Sequence, residues 1–184
     1  LKNRNTIEVT DFGAGSKVFK SNKREIFKIG KTAGISPKRA ELLFRIVNYF
    51  QPQSILEIGT SLGLATSALS LGSQIPTLRD GKKAKITTLE GCPETAKQAQ
   101  FQFQKFKFNT IRSEITEFST YLQNCTLNTE HFSLIYFEGN HSKKATLDYF
   151  EVLLPTITNE TVWIFDDIHW SQEMEEVWEI IKNH

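Results

Sequence analysis

From Ser36 onward, short continuous apolar runs alternate with stretches that are apolar on one helical face only, and this alternation restricts the fold more than any other feature of the chain. Ser36-Pro37 reads as an N-cap followed by proline at the first helical position, and Ala40, Leu42, Leu43, Ile46, Val47 and Phe50 then recur at helical spacing up to Pro52. Ser54–Ile58 is a short apolar strand and Leu62–Leu71 an apolar helix. Gln74–Lys83 is a polar loop, Ala84–Glu90 a strand, and Pro93–Phe106 a helix opened by proline. Asn109–Glu114 reads as a weaker strand and Ile115–Gln123 as a helix. Phe132–Phe137 and Thr161–Phe165 are strong strands, separated by a helix over Ser142–Leu154 that Pro155 ends. Ser171 caps a last helix with Met174, Val177, Trp178 and Ile181 on one face. Strands apolar along their whole length are buried on both sides. The pattern therefore predicts an α/β fold, a doubly wound, mainly parallel sheet with helices on both faces. The 184 residues suffice for one such domain and not for two.

Residues 1–35 lack that regularity. Thr6–Val9 alternates as a strand does, Asp11–Ser16 with its two glycines reads as a loop, and Ser21–Lys31 as a short basic helix. The expected organisation is an N-terminal basic arm or lid over 1–35 and the α/β domain over 36–184. The net charge of +1 conceals an asymmetry, since residues 1–40 hold ten Lys and Arg against Glu8, Asp11 and Glu25. Such an arm is suited to an anionic substrate or to nucleic acid. A solvated surface stretch is the plainer reading, because no aromatic-interleaved nucleic-acid motif accompanies the charge. No apolar run approaches the ~20 residues that cross a bilayer, and Leu1–Thr10 carries no apolar leader core. Cys92 and Cys125 alone exclude a disulfide-stapled scaffold and an all-cysteine zinc site. A cytoplasmic protein with reduced thiols is expected.

Ligands of such sheets bind at the carboxyl ends of the strands, where strand order reverses, so the residues just after each strand carry the chemistry. Glu57-Ile58-Gly59-Thr60-Ser61-Leu62-Gly63 follows the first. Its glycines let the backbone approach a ligand closely, and the following helix points free N–H groups at it. The spacing is looser than the dinucleotide pattern G-x-G-x-x-G, and a tight strand-to-helix turn explains it as well. Glu90-Gly91-Cys92-Pro93 follows the second strand. A carboxylate there accepts hydrogen bonds from ribose hydroxyls, or simply caps the next helix. Gly59, Gly63 and Glu90 together make a nucleoside-binding constellation. Glu138-Gly139-Asn140-His141 and Asp166-Asp167-Ile168-His169-Trp170 follow the fourth and fifth strands and are the densest ionisable groups in the chain. They suit proton transfer, a divalent cation, or both. Glu138, Asp166 and Asp167 offer oxygen ligands of the kind Mg²⁺ takes. Left uncompensated, these carboxylates repel one another, so a cation or a raised pKa is expected.

Ile55–Gly63 resembles the glycine-rich first motif of class I S-adenosylmethionine-dependent methyltransferases, and Ile86–Glu90 resembles their acidic second motif. Phe132–His141 and Ile164–Trp170 are similar to the later strand motifs of small-molecule O-methyltransferases of the catechol and caffeoyl-CoA type. The likeness runs from about Pro37 to Ile181. It implies a Rossmann-like methyltransferase fold in which Gly59, Thr60, Ser61 and Gly63 line the methionine and ribose part of S-adenosylmethionine. Glu57 would order that loop or reach the cofactor amine through water. Glu90, with Gly91, would bind the ribose hydroxyls, Glu138 would border the cofactor, and Ser113 and Glu114 fall near the adenine. The metal-dependent members carry Asp, Asp and Asn where this chain has Glu138, Asp166 and Asp167, and a lysine base where it has His141. His141 is the candidate general base, since imidazole titrates near neutral pH, and Asp166 helps to present the acceptor.

The implied activity is O-methylation of a small molecule. The alternatives are a methyltransferase acting on nucleic acid or protein, and a nicotinamide-dependent oxidoreductase or other nucleotide-binding module. The absence of an Asn-Pro-Pro-Tyr-like signature disfavours base methylation, and the absence of G-x-G-x-x-G disfavours the dehydrogenase. Phe12–Ser16 is expected to act as a lid, and Trp170 to pack under the last helix or stack on the acceptor. No sequence remains after Ser171–Asn183 for the C-terminal antiparallel hairpin usual in such sheets, which points to a piece of a longer chain. Otherwise the last strand exposes an edge for a partner such as a second copy in a homodimer.

Overall fold

Apolar residues on both faces of the central strand divide the core by parity. The computed structural model describes residues 3–184 apart from Ala14, Lys17, 75–82 and 128–130, and describes only the backbone of 125–127. Most of the polar loop expected at Gln74–Lys83, and the Cys125 thiol, thus lie outside the described residues. Five strands, β3 (Ser54–Ile58), β4 (Lys85–Glu90), β5 (Ile111–Ile115), β6 (Leu134–Phe137) and β7 (Val162–Phe165), form one parallel sheet in the order β5-β4-β3-β6-β7. The chain runs outward from β3 to one edge, returns beside β3 as β6, and runs to the other, so strand order reverses at the carboxyl ends of β3 and β6.

Ile55 packs on one face with Leu43 and Val47 of α2 (Pro37–Phe50), Leu69 of α3 (Leu64–Gly72), Ile86 and Tyr136. Leu56 and Ile58 pack on the other with Leu89, Leu122 of α5 (Phe118–Leu127), Phe137, and Tyr149 and Leu153 of α6 (Lys143–Leu153). The remaining helices are α1 (Ile26–Thr32), α4 (Pro93–Lys105) and α7 (Gln172–Ile181). Ser36 and Ser171 cap α2 and α7 as expected, their side chains accepting from Arg39 N–H and Met174 N–H. Among the described residues no helix is long and apolar enough to cross a membrane.

Within the N-terminal segment the helix expected over Ser21–Lys31 is shortened. Lys23–Glu25 is not helical; it forms β2, antiparallel to β1 (Thr6–Glu8), with Ile7 opposite Arg24. The helix begins only at Ile26, where the N–H groups of Ile26 and Phe27 are taken by the carbonyls of Asn5 and Asn3. Ile7, Val9, Ile26 and Ile29 are buried against Leu62 and Cys92, which lie in the turns after β3 and β4. The segment is therefore seated on the sheet rim. Ile7 and Val9 alternate as in a strand while Ile26 and Ile29 are three residues apart, so the four share no single period.

Helices α2 and α3 pack closely at Gly72, where a Cβ would come within 2.6 Å of the Phe44 carbonyl oxygen and 3.0 Å of Val47 Cβ. Gly72→Ala is expected to lower unfolding free energy by about 1–3 kcal/mol with the denaturant slope unchanged. Urea unfolding checks this, and a wild-type midpoint would contradict the packing.

Candidate active site

The carboxyl ends of β3, β4 and β6 surround a cavity of about 730 Å³, within the usual range for small-molecule sites. Its floor begins at Gly59. The N–H groups of Gly59 and Thr60 both donate to the Leu89 carbonyl at 3.0 Å, which ties the turn after β3 to the end of β4. Gly59 has φ of 104°, and a Cβ there would lie 2.7 Å from Gly139 N and 2.8 Å from its Cα, so only glycine fits. Ser61, Asn140 and Asp167 also have positive φ, one in each turn after β3, β6 and β7. Strained backbone of this kind gathers at binding sites.

Glu90 stands on the cavity wall. Its Oε2 accepts from Ser61 N–H at 2.7 Å and its Oε1 from Cys92 N–H at 2.8 Å, which fixes the carboxylate between two turns. Burial raises its pKa, while these backbone donors oppose the rise. Ser61, Gly91, Glu138, His141 and Asp167 share the wall with Glu90 and Gly59.

Glu57 lies beneath it, fully buried. Its Oε2 accepts from the hydroxyls of Thr66 and Thr88, each at 2.5 Å. The Thr88 proton is thereby used, so Thr60, 2.5 Å away, donates to Thr88. Oε1 has no partner among the described residues. Burial dominates and pushes the Glu57 pKa up to about 7. Thr60 and Gly63 likewise lie behind the wall, Gly63 directed at Phe103 and Ala99. Glu114, expected near the adenine, is outside the cavity; its carboxylate pairs with Arg112 on the same strand.

On the far side, the Tyr136 hydroxyl is hydrogen-bonded to Glu138 and lies 3.0 Å from Asp166 Oδ2. One hydroxyl carries one proton, so it serves both carboxylates only when one of them is protonated. Glu138 is that one: burial, reinforced by Asp166, raises its pKa to about 9. His141 lines the cavity 3.7 Å from Asp167 Oδ2, its ring beside Trp170. Burial lowers its pKa, so it is neutral at physiological pH. Strap residues cross above. A Cβ on Gly91 would meet the Phe12 ring at 2.7 Å, and one on Gly13 would meet Asn140 Cα at 3.1 Å.

A model of the methyltransferase domain family matches residues 56–168, more than half of the chain. The chain belongs to that family. Sequence comparison with curated proteins finds no match. Among solved structures it is similar to an O-methyltransferase from Bacillus cereus in complex with SAH, with TM-score 0.71, 22% identity, and coverage of 86% of this chain and 77% of that one. It is also similar to the SAH-bound methyltransferase PaMTH1 of Podospora anserina, at TM-score 0.69 and 18% identity over 82% and 71% of the two chains. The O-methyltransferase TomG of Streptomyces achromogenes, in complex with SAM, gives TM-score 0.67 and 18% identity over 83% and 71%. These likenesses establish the fold.

In this methyltransferase domain the expected metal set does not form. Among the described residues no three His, Cys, Asp or Glu side chains converge on a point an ion could occupy. Arg39 Nη1, from the first turn of α2, lies 2.9 Å from Asp166 Oδ1 and 3.2 Å from Asp167 Oδ1. Asp166 Oδ1 also accepts the Asp167 N–H at 2.8 Å, and Glu138 is engaged by Tyr136. Both Asp166 oxygens and one oxygen each of Glu138 and Asp167 are thus already engaged, and the residues present do not fit a divalent cation. Arg39 and Tyr136 were not singled out in the sequence. Tyr136 on β6 shares parity with Glu138 just beyond its end, which was a usable signal. Arg39 offered only a cation at a helix N-terminus, where the dipole disfavours it unless acidic groups stand nearby.

The Glu57 shift sets a pH dependence. Its carboxyl ionises near 4.5 when unfolded and near 7 when folded. The folded chain therefore holds the extra proton between these values, and stability falls as pH rises through them. Wild type is expected to lose up to roughly 3 kcal/mol relative to Glu57→Gln between pH 4.5 and 8. Urea unfolding across that range checks this; parallel curves would contradict it.

Proposed function

We propose that this methyltransferase domain uses S-adenosylmethionine to methylate a hydroxyl oxygen of a small molecule. The observation that carries the reading is the fixed Glu90 carboxylate on the cavity wall, one turn away from the glycine bend at Gly59. A carboxylate at that strand end suits a ribose diol. Its oxygens each keep a lone pair beyond the Ser61 and Cys92 bonds. Gly59 and Gly91 expose backbone beside it, and Glu57 beneath, bonded to Thr66 and Thr88, orders the glycine turn. When bound, S-adenosylmethionine supplies an electrophilic methyl group on a sulfonium.

The chain's own contribution is alignment, exclusion of water and removal of a proton. Neutral His141 accepts the acceptor hydroxyl proton at a ring nitrogen, and Asp167, 3.7 Å from Nε2, stabilises the imidazolium that forms. Asp166 acts at one remove, by holding Arg39 and Tyr136. Residues 1–35 act as a cover over the 36–184 domain. Phe12 and Gly13 reach across the opening from Gly91 to Asn140, and the Arg24–Asp11 ion pair at 3.5 Å helps to hold them. A cytoplasmic site fits the buried, unpaired Cys92 thiol.

Isothermal calorimetry with S-adenosylhomocysteine and with NAD side by side tests the cofactor. Wild type should bind the former, and Glu90→Ala should bind it at least about tenfold more weakly, the loss of one charge-assisted hydrogen bond. Binding of NAD alone would overturn the reading. With an acceptor in hand, His141→Ala should lower turnover by about 10²–10⁴-fold; near-wild-type turnover would remove the histidine from the mechanism.

A further inference from the structure

The Asp166 and Asp167 carboxylates that follow β7 need a positive charge, and the fold supplies one from a distant part of the chain. Arg39 projects from the first turn of α2, a position where the helix dipole makes a cation unfavourable on its own. Its Nη1 bridges Asp166 Oδ1 at 2.9 Å and Asp167 Oδ1 at 3.2 Å. Asp166, Asp167 and Glu138 together raise the arginine's pKa, Asp166 most. Tyr136, itself buried, links Glu138 and Asp166.

We propose that the Arg39 guanidinium takes the place of a divalent cation in this site, so that the domain excludes Mg²⁺ and Mn²⁺ and orients Asp166 and Asp167 with a built-in charge. Arg39 is a positioning residue, acting through the two aspartates. A guanidinium forks between two carboxylates and is charged at every physiological pH. An acceptor bound beside it need not offer the adjacent pair of oxygens that chelation by a metal ion requires. This consequence for the acceptor rests on the methyltransferase reading. The exclusion of the ion does not, and it is tested without turnover.

Titration of the full chain with Mn²⁺, followed by electron paramagnetic resonance, reads the ion directly. Removing the guanidinium leaves unbalanced carboxylates at one rim. Arg39→Gln is therefore expected to bind one Mn²⁺ on the order of 100-fold more tightly than wild type, and Arg39→Gln/Asp166→Asn to lose that gain. Arg39→Lys, which keeps the charge, should stay close to wild type. Wild-type binding as tight as that of Arg39→Gln overturns the proposal. So does an Arg39→Gln variant that binds S-adenosylhomocysteine normally, and is therefore folded, yet gains no affinity for Mn²⁺. If Arg39→Gln does not fold, the comparison of wild type with Arg39→Lys decides: the proposal requires neither to hold a stoichiometric ion. Failure of wild type to bind S-adenosylhomocysteine sinks the cofactor reading instead and leaves the Mn²⁺ result standing.

Discussion

The backbone of Gly59 lies against that of Gly139, so close that a methyl group on Gly59 would collide with the other turn and one on Gly139 would press on Gly59 Cα at 3.1 Å. This contact sits where the chain order reverses in the sheet. Glu138 N–H donates to the Ile58 carbonyl and Asp166 N–H to the Phe137 carbonyl, each at 2.9 Å, so ladder bonding continues past the last residues of the strands. The turns after β3, β6 and β7 are thereby held at fixed heights on one rim. Glu90, Glu138, His141 and Asp167 can converge because the backbone beneath them has little freedom.

Charge is managed in layers around that contact. Glu57, fully buried, is served by threonine hydroxyls and is half-titrated near neutral pH. Glu138 stays protonated beside Tyr136. Only Asp166 and Asp167 face a full opposite charge, from Arg39. Unpaired buried carboxylates are costly, and protonation, hydroxyl donors and a guanidinium each relieve one part of that cost. What remains open on the cavity wall is a neutral imidazole beside a carboxylate, a pairing suited to taking a proton from a hydroxyl.

The sheet was legible because its strands are apolar throughout and its helices are capped by Ser36-Pro37 and Ser171, local signals that tertiary context did not override. That Gly59, Glu90, His141 and Asp167 would lie around one cavity was legible because the fold puts residues after strands on one rim. Glu114 was not, since a strand-end carboxylate can point to a neighbour on its own strand, and Arg112 stood two residues away. The metal ligands failed for a different reason. Carboxylates in a row predict a counter-charge, but the sequence does not say that it comes from Arg39, 127 residues before Asp166. The seating of residues 1–35 was hidden because Ile7, Val9, Ile26 and Ile29 become one surface only after β1 and β2 pair.

A crystal structure with S-adenosylhomocysteine bound tests the account most directly. It should place both ribose hydroxyls within about 3 Å of the Glu90 carboxylate oxygens, with the methionine arm running over Gly59 toward His141. A sugar lying elsewhere in the cavity, with Glu90 still bonded only to Ser61 and Cys92, would contradict it.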